Sequence, residues 1–506
     1  MAAEWLKKAV FYEIYPQSFY SPEGSGTGTL QGIIQKLDYV LSLGCNAIWL
    51  NPIYDSPFKD AGYDVRDYKK VAPRYGTNED ASALFEAAHR KGIRVILDLV
   101  PGHTSEEHEW FKLSSQSHEN EFSGRYIWTD SWFKGIPGRP YIGGECERNG
   151  TYMLNFFKCQ PALNYGWLNP SENWQSSMES PESMATREAM KDVCRFWLKM
   201  GCDGFRVDMA DSLVKGDDEK HATAKVWQDI LSSVKSDYPD SVFVSEWSNP
   251  YISVNEAGFD MDFYLDHAGN GYNFLLRDYE TPGEDRSYFR SDSCVSCKKF
   301  MDQYMPAYEA IKENGYISLI SGNHDTARIS HNLTDRERKI ALAFLFTMPG
   351  VPFLYYGDEI GMRYLDLPTF EGGYTRTGSR SPMQWDENTL SSDLYLPCDP
   401  SSDAPTVASQ MKVPDSMLNT VKSILSLRHN DSSLDADAPL DIMFCNDDSP
   451  LLVYRRGDLK IAVNPSVNEV SGWIGTGTCK PVWSIGEGKC EDGIIRMMPQ
   501  SFLIFK

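Results

Sequence analysis

Apolar residues recur along the chain in a unit that repeats. In "LQGIIQKLDYVLSLGCNAIWLNP", Leu30, Ile33, Ile34, Leu37, Val40 and Leu41 fall at helical spacing, Gly44 stops the helix, and an apolar run ends at Asn51-Pro52. The stretch "ASALFEAAHRKGIRVILDLVPGH" follows the same order: helix, Gly92, short apolar strand, polar residues through His103. In "REAMKDVCRFWLKMGCDGFRVDMAD", Met190, Val193, Phe196, Trp197 and Met200 line one helix face before Gly201 and another short strand. Helix, glycine, apolar strand and polar strand end make the αβ unit of a parallel sheet buried on both faces.

Further strands are read in "KAVFYEIYP", "SVFVSEW", "GYISLISGNHD" and "VPFLYYGDEIG". This succession predicts the α/β class, with a (β/α)₈ TIM barrel rather than an open sheet. Two regions break the pattern. Residues 104–175, between the third and fourth strands, are too long for a barrel loop and predict a small inserted domain. From 430 the alternation in "PLLVYRRGDLKIAVNPS" and "SFLIFK" predicts a C-terminal antiparallel β-sandwich over 430–506. The barrel is left with 1–103 and 176–429.

Barrels of this kind carry their chemistry at the C-terminal strand ends. The polar residues there are Asp64 (in the loop after the second strand), His103, Asp208, Glu246 and His324-Asp325. Arg206 and Asp208 share one face of a strand. Alone, such a pair is usually a structural ion pair, and a lone His103 is usually a satisfied buried histidine. Three carboxylates on separate strand ends, each beside His, Arg or Trp, suit glycosidic cleavage instead: one acid protonates the leaving oxygen and a second carboxylate captures the sugar. Arg206 is expected to keep Asp208 ionised, and burial of Glu246 against Trp247 to keep it protonated. His89 and His221 are expected to be solvated, and Met209 and Phe205 to be core.

A net charge of −22 excludes nucleic acid and anionic membrane as partners. "MAAEWLKKAV" has no signal-peptide core, and no apolar run approaches the ~20 residues of a membrane span. With eleven scattered cysteines, this predicts a cytoplasmic location and reduced thiols. Cys294 and Cys297 ("CVSC") lack a second CxxC at zinc spacing and a strand–helix redox context.

"GFRVDMA", "VFVSEW", "SGNHD", "DLVPGH" and "QPALN", which occur along the chain in the family's order, resemble the sequence regions of glycoside hydrolase family 13, the α-amylase superfamily. "FYEIYPQSFYSPEGSGTGTLQGIIQKLDYVLSLGCNAIWLNPIY" and "SRSPMQWD" resemble its oligosaccharide α-glucosidase branch, which includes oligo-1,6-glucosidase and dextran glucosidase; the likeness spans roughly residues 5–505. It implies Asp208 as nucleophile, Glu246 as general acid/base and Asp325 as a third carboxylate gripping sugar hydroxyls, in a retaining double displacement. It implies Arg206, His103 and His324 as charge-setting and hydroxyl-binding residues, and Tyr63 and Phe156 as sugar-stacking rings. It also implies that Asp64 pairs with Arg380 to seal the pocket behind a terminal glucose.

The family's endo-amylases carry Lys-His after the nucleophile segment, where this chain has Asp211-Ser212, so an exo-acting enzyme is expected. Met209 follows the nucleophile and tilts the expected linkage slightly to α-1,6 over α-1,4. The branch usually holds calcium in an Asp-rich first loop; "SPEGSGTGTLQG" has only Glu23 among 21–29 to ionise and lacks the Gly-Lys-Ser/Thr of a phosphate cradle. With Gly102 and Ala162 where relatives use Asn and Asp, no metal and no cofactor are expected. The expected partner is a short oligosaccharide or disaccharide; monomer and homo-oligomer stay open. One alternative is a transglucosylase or isomerase on sucrose- or trehalose-type sugars, although "EGGYTRTGSR" gives no close match to the sucrose isomerases' Arg-rich loop. Another is a catalytically dead scaffold subunit, which the three retained carboxylates and the absence of an apolar span oppose.

Overall fold

The repeating unit folds as its terminal residues require. Thr29 caps helix Leu30–Leu43 by accepting from the Gly32 N–H, and Gly44, at φ 99°, ends it in the left-handed conformation. Helix Asn78–Arg90 opens with a reciprocal Thr77/Asp80 capping box, and helix Pro181–Met200 opens on Ser180 and closes on left-handed Gly201. A strand follows each within a few residues.

The computed structural model describes residues 2–506 except 23, 25, 266–270, 278–283, 373, 391 and 476–478, and except the side chains of 374 and 375. The eight barrel strands are β1 (Phe11–Ile14), β2 (Ala47–Leu50), β3 (Arg94–Leu99), β4 (Gly204–Val207), β5 (Val242–Ser245), β6 (Met261–Phe263), β7 (Tyr316–Ser318) and β8 (Phe353–Tyr355). They pair in parallel in the order β7-β6-β5-β4-β3-β2-β1-β8. A parallel bridge between Ile320 and Phe353 joins the two ends of that order. The fold is therefore the expected (β/α)₈ barrel. Gly204 is indispensable to it: a Cβ there would sit 1.9 Å from the Val242 carbonyl oxygen, so only glycine lets β4 lie this close to β5. Trp49, Phe263 and Phe353 meet across the barrel interior, with ring centroids 4.8 to 6.1 Å apart.

Between β3 and β4 the chain forms a small unit around the rings of Phe111, Tyr126, Trp128 and Tyr152. It rests on the end of β3 through a bridge between His103 and Ala162, which brings residues 155–160 close to the strand ends. Beyond helix Met417–Asn430 lie β9 (Leu440–Cys445), β10 (Leu452–Arg456), β11 (Leu459–Asn464), β12 (Val470–Trp473), β13 (Pro481–Ile485), β14 (Gly488–Glu491), β15 (Ile494–Met497) and β16 (Ser501–Phe505). They form two antiparallel sheets, β9-β10-β11-β16-β13 and β12-β15-β14. Leu451, Val453, Ala462, Ile495, Met497, Leu503 and Phe505 pack together as their core. Among the described residues, no helix is long and apolar enough to cross a membrane.

Candidate active site

Strand register builds the centre of the site. On neighbouring strands Asp98 and Arg206 are Cα partners, as are Val207 and Ser245, which places Asp208 and Glu246 one residue beyond a paired position. The Arg206 guanidinium, 1 % exposed, donates through Nη1 to Asp98 Oδ1 at 2.8 Å and to Asp208 Oδ1 at 2.9 Å. Its Nη2 lies 2.7 Å from Glu246 Oε2. Met209 takes a left-handed backbone, φ 42°, and its N–H donates to Glu246 Oε2 at 2.8 Å. For a residue with a Cβ this conformation is strained, and such strain concentrates at functional sites. Asp208, Met209 and Glu246 all line one cavity of about 320 Å³, together with Tyr63, His103, Phe156 and Trp247.

One guanidinium thus faces three carboxylates. Burial pushes Asp208 well above the ordinary carboxylate range; Arg206 opposes this, but Glu246 and Asp98 add to it. Asp98 is pushed up to about 6, again by burial first. Arg206 was expected to hold Asp208 low. Its charge is instead divided among three partners, and burial outweighs the share that reaches Asp208.

The other side of the cavity is built around Asp325. Its Oδ1 accepts from Arg376 Nη1 at 2.7 Å and Arg380 Nη2 at 2.9 Å. Burial acts to raise this carboxyl, but the Arg376 and Arg380 guanidiniums outweigh it and hold Asp325 far below the usual range. The His324 ring stacks on Tyr63, with centroids 5.1 Å apart and planes 7° from parallel, and burial keeps it neutral. Tyr63 in turn donates to Asp98 Oδ2 at 2.9 Å. His103 donates from Nε2 to the Tyr63 carbonyl, which leaves Nδ1 to accept from the Asn155 amide at 3.1 Å. Burial lowers His103 to about 4, so it too is uncharged. Phe156 is 43 % exposed and lies against Phe157 at the cavity's rim.

The expected pairing of Asp64 with Arg380 does not form. Asp64 is fully buried and accepts from Ser56 Oγ, the Lys59 N–H and the Asp60 N–H, which shapes the turn carrying Asp60 and Tyr63. Arg380 donates to the His324 carbonyl and to Asp325. The ion pair in the cavity joins Asp60 Oδ1 and Arg376 Nη2 at 3.1 Å, with Gln160 holding the other Asp60 oxygen at 2.8 Å. Met209, expected in the core, faces the cavity, whereas Phe205 is core as expected. His89 is not simply solvated but bonds Asp203 at 2.8 Å; His221 bonds Glu256 at the surface.

Sequence reading missed Asp98, Asp60, Arg376 and Asn155. A carboxylate within "VILDLV" was a usable signal, because a buried strand seldom carries one unpaired. Nothing local marked Asn155. Its position follows from Gly102, where a Cβ would lie 2.7 Å from the Asn155 Nδ2. Glu23, the one ionisable residue of the first loop, lies outside the described residues. Among the described residues no three His, Cys, Asp or Glu side chains gather as metal ligands.

Residues 13–437 match the family model described as alpha amylase, catalytic domain. The chain is 32 % identical to an oligo-1,6-glucosidase of Heyndrickxia coagulans, covering 92 % of this chain and 93 % of that one. It is also 32 % identical to a trehalose synthase/amylase TreS of Mycolicibacterium smegmatis, over 84 % of this chain and 76 % of the relative. In fold it resembles the trehalulose synthase MutB of Pseudomonas mesoacidophila, with a TM-score of 0.81 at 24 % identity over the full length of both chains.

Proposed function

The chain belongs to the α-amylase family of glycoside hydrolases, and from that membership we propose that it is a retaining, exo-acting α-glucosidase that frees glucose from the non-reducing end of short α-glucosides. The observation that carries the proposal is the sharing of one buried guanidinium by Asp208 and Glu246 on a single cavity. Two carboxyls gathered by one guanidinium on the same cavity support a pair close enough for direct attack rather than one spaced by a water.

Asp208 in its ionised form attacks the anomeric carbon while Glu246 gives the glycosidic oxygen a proton. A covalent glucosyl-Asp208 results, and Glu246 then draws a proton from the water that releases glucose. Asp325, kept ionised by Arg376 and Arg380, accepts hydrogen bonds from sugar hydroxyls, and Tyr63 supplies an apolar face under the ring. The Asp60–Arg376 pair closes the cavity behind the terminal sugar, which supports exo action. About 320 Å³ is at the small end of ligand cavities and suits a single sugar ring with part of its neighbour. Met209 narrows the leaving-group side, which supports α-1,6 over α-1,4 bonds by a small margin. The residues at hand call for no metal in these steps.

The similarity to trehalose synthase/amylase favours a second reading, transglucosylation or isomerisation of sucrose- or trehalose-type disaccharides through the same intermediate. Water's access to glucosyl-Asp208 separates the two. The test is a panel of isomaltose, maltose, trehalose and sucrose, with products followed by chromatography and proton NMR. Glucose appearing first as the α-anomer, and lost by at least about a thousandfold in Asp208→Asn and Glu246→Gln with unchanged circular dichroism, is the expected result. A β-anomer first, or near wild-type turnover in Asp208→Asn, rejects the mechanism; new disaccharides in place of glucose select the second reading.

A further inference from the structure

Far from the catalytic cavity, two thiols face each other in the C-terminal unit. Cys479 and Cys490 form an antiparallel bridge, and their Sγ atoms lie 3.0 Å apart. Cys479 precedes β13 in the five-stranded sheet, and Cys490 lies within β14 of the three-stranded sheet. Lys460, on β11, donates from Nζ to Cys479 Sγ at 3.2 Å. Cys490 is 2 % exposed and Cys479 8 %, so Cys479 is the more accessible sulfur.

From this juxtaposition we propose that Cys479 and Cys490 are a site of oxidative modification, joined by hydrogen peroxide into a disulfide that links the two C-terminal sheets. Three features assign the roles. The Lys460 ammonium bonds Cys479 Sγ directly, and Cys479 is the more exposed of the two sulfurs, so an oxidant reaches it first beside a cation that steadies the departing hydroxide. Burial, reinforced by Cys479, pushes Cys490 up to about 11, so it stays a thiol until its partner is oxidised. The sulfurs already face each other on directly opposed residues, so closure needs little backbone movement. A metal site is the wrong reading: two sulfurs lack a third ligand among the described residues, and the Lys460 ammonium repels a cation.

In the first step the Cys479 thiolate attacks one peroxide oxygen. The S–O bond forms, the O–O bond breaks, and hydroxide leaves and takes a proton as water. Cys479 becomes a sulfenic acid. The Cys490 sulfur then attacks Cys479 Sγ; the S–S bond forms, the S–O bond breaks, and the departing hydroxide takes the Cys490 proton as a second water. Two thiols are oxidised and one hydrogen peroxide is reduced to two waters.

The test treats the full chain with hydrogen peroxide, alkylates it in denaturant and maps the peptides. The expected result is a linked 479–490 peptide and two fewer alkylatable thiols than the eleven of the reduced chain, restored by dithiothreitol. Cys490→Ser should instead accumulate a sulfenic acid at 479 that dimedone traps, and Lys460→Gln should oxidise about tenfold more slowly. Glucoside hydrolysis, whose residues lie in the barrel, should survive oxidation and report an intact fold. Peroxide that oxidises other cysteines while 479 and 490 remain free overturns the proposal. So does dimedone labelling of 490 instead of 479 in the wild type, which requires no variant to fold.

Discussion

Asp60 and Arg376, 316 positions apart in the chain, meet at 3.1 Å over the catalytic cavity. The same guanidinium reaches Asp325 through its other terminal nitrogen at 2.7 Å. Arg376 therefore ties the turn after β2 to the carboxylate that follows β7. With Arg380 it keeps Asp325 ionised, and with Asp60 and Asp325 it lines the cavity wall.

Arg376→Met removes the cation and leaves Asp60 and Asp325 facing each other. Charge-assisted hydrogen bonds contribute about 1.5–3 kcal/mol each, so kcat/KM on a disaccharide should fall by about a hundredfold. The opened wall should also let longer chains enter. Rates on a disaccharide and on a linear maltooligosaccharide, measured side by side, should show their ratio moving toward the longer substrate. A uniform loss on both would mean that Arg376 acts on charge alone.

Asp98→Asn tests the divided charge of Arg206. Removing that carboxylate takes away one group that raises Asp208 and leaves Arg206 with two partners instead of three. Both changes lower Asp208, so the acid limb of the kcat/KM pH profile should move to lower pH. Tyr63 and Trp49, which donate to Asp98, lose a charged acceptor, and kcat should drop by about ten- to a hundredfold. An acid limb that stays in place while kcat falls would show that Asp98 only positions its neighbours.

The barrel was legible because its signals are local. Helix caps, stop glycines such as Gly44 and Gly201, and apolar strand runs are short-range chemistry, and they fold as written. Asp208 and Arg206 could be read on one face because a strand's period is two. The partner of Asp60 could not. Asp60 and Asp64 are both carboxylates of one turn, and which of them faces Arg376 depends on backbone N–H groups that only the folded turn points at Asp64. The divided charge of Arg206 likewise needs three strands in register. Asn155 needed the inserted unit's docking on β3, which no sequence period encodes.

Asn155 and Met209 should govern linkage preference together. The Asn155 amide spans His103 Nδ1 at 3.1 Å and the Met209 sulfur at 3.7 Å, across the space a side chain at Gly102 would fill. Met209→Ala widens the cavity wall, and a change of a few methylene groups at such a wall is worth about 1–3 kcal/mol. The ratio of isomaltose to maltose hydrolysis should fall about tenfold. Asn155→Ala should shift the same ratio in the same direction by less, because it frees Met209 without shortening it. Unchanged ratios in both variants would place linkage selection elsewhere.

Glu359 gives stability a pH dependence of its own. It is fully buried at the barrel wall, accepts from the Tyr12 and Tyr39 hydroxyls at 2.7 Å each, and is pushed up to about 7 by burial. The folded state therefore holds this proton more tightly than the unfolded chain, where glutamate titrates near ~4.3. The stability this contributes is fully present below that lower value and is lost as pH rises through about 7. Glutamine keeps the acceptor oxygen for both tyrosines and has no proton to lose. Glu359→Gln should thus match the wild type near pH 4 and gain on it as pH rises, by up to about 3 kcal/mol at pH 8. Urea unfolding at the two pH values measures the difference, and a gap between the proteins that is the same at both would remove Glu359 as its source.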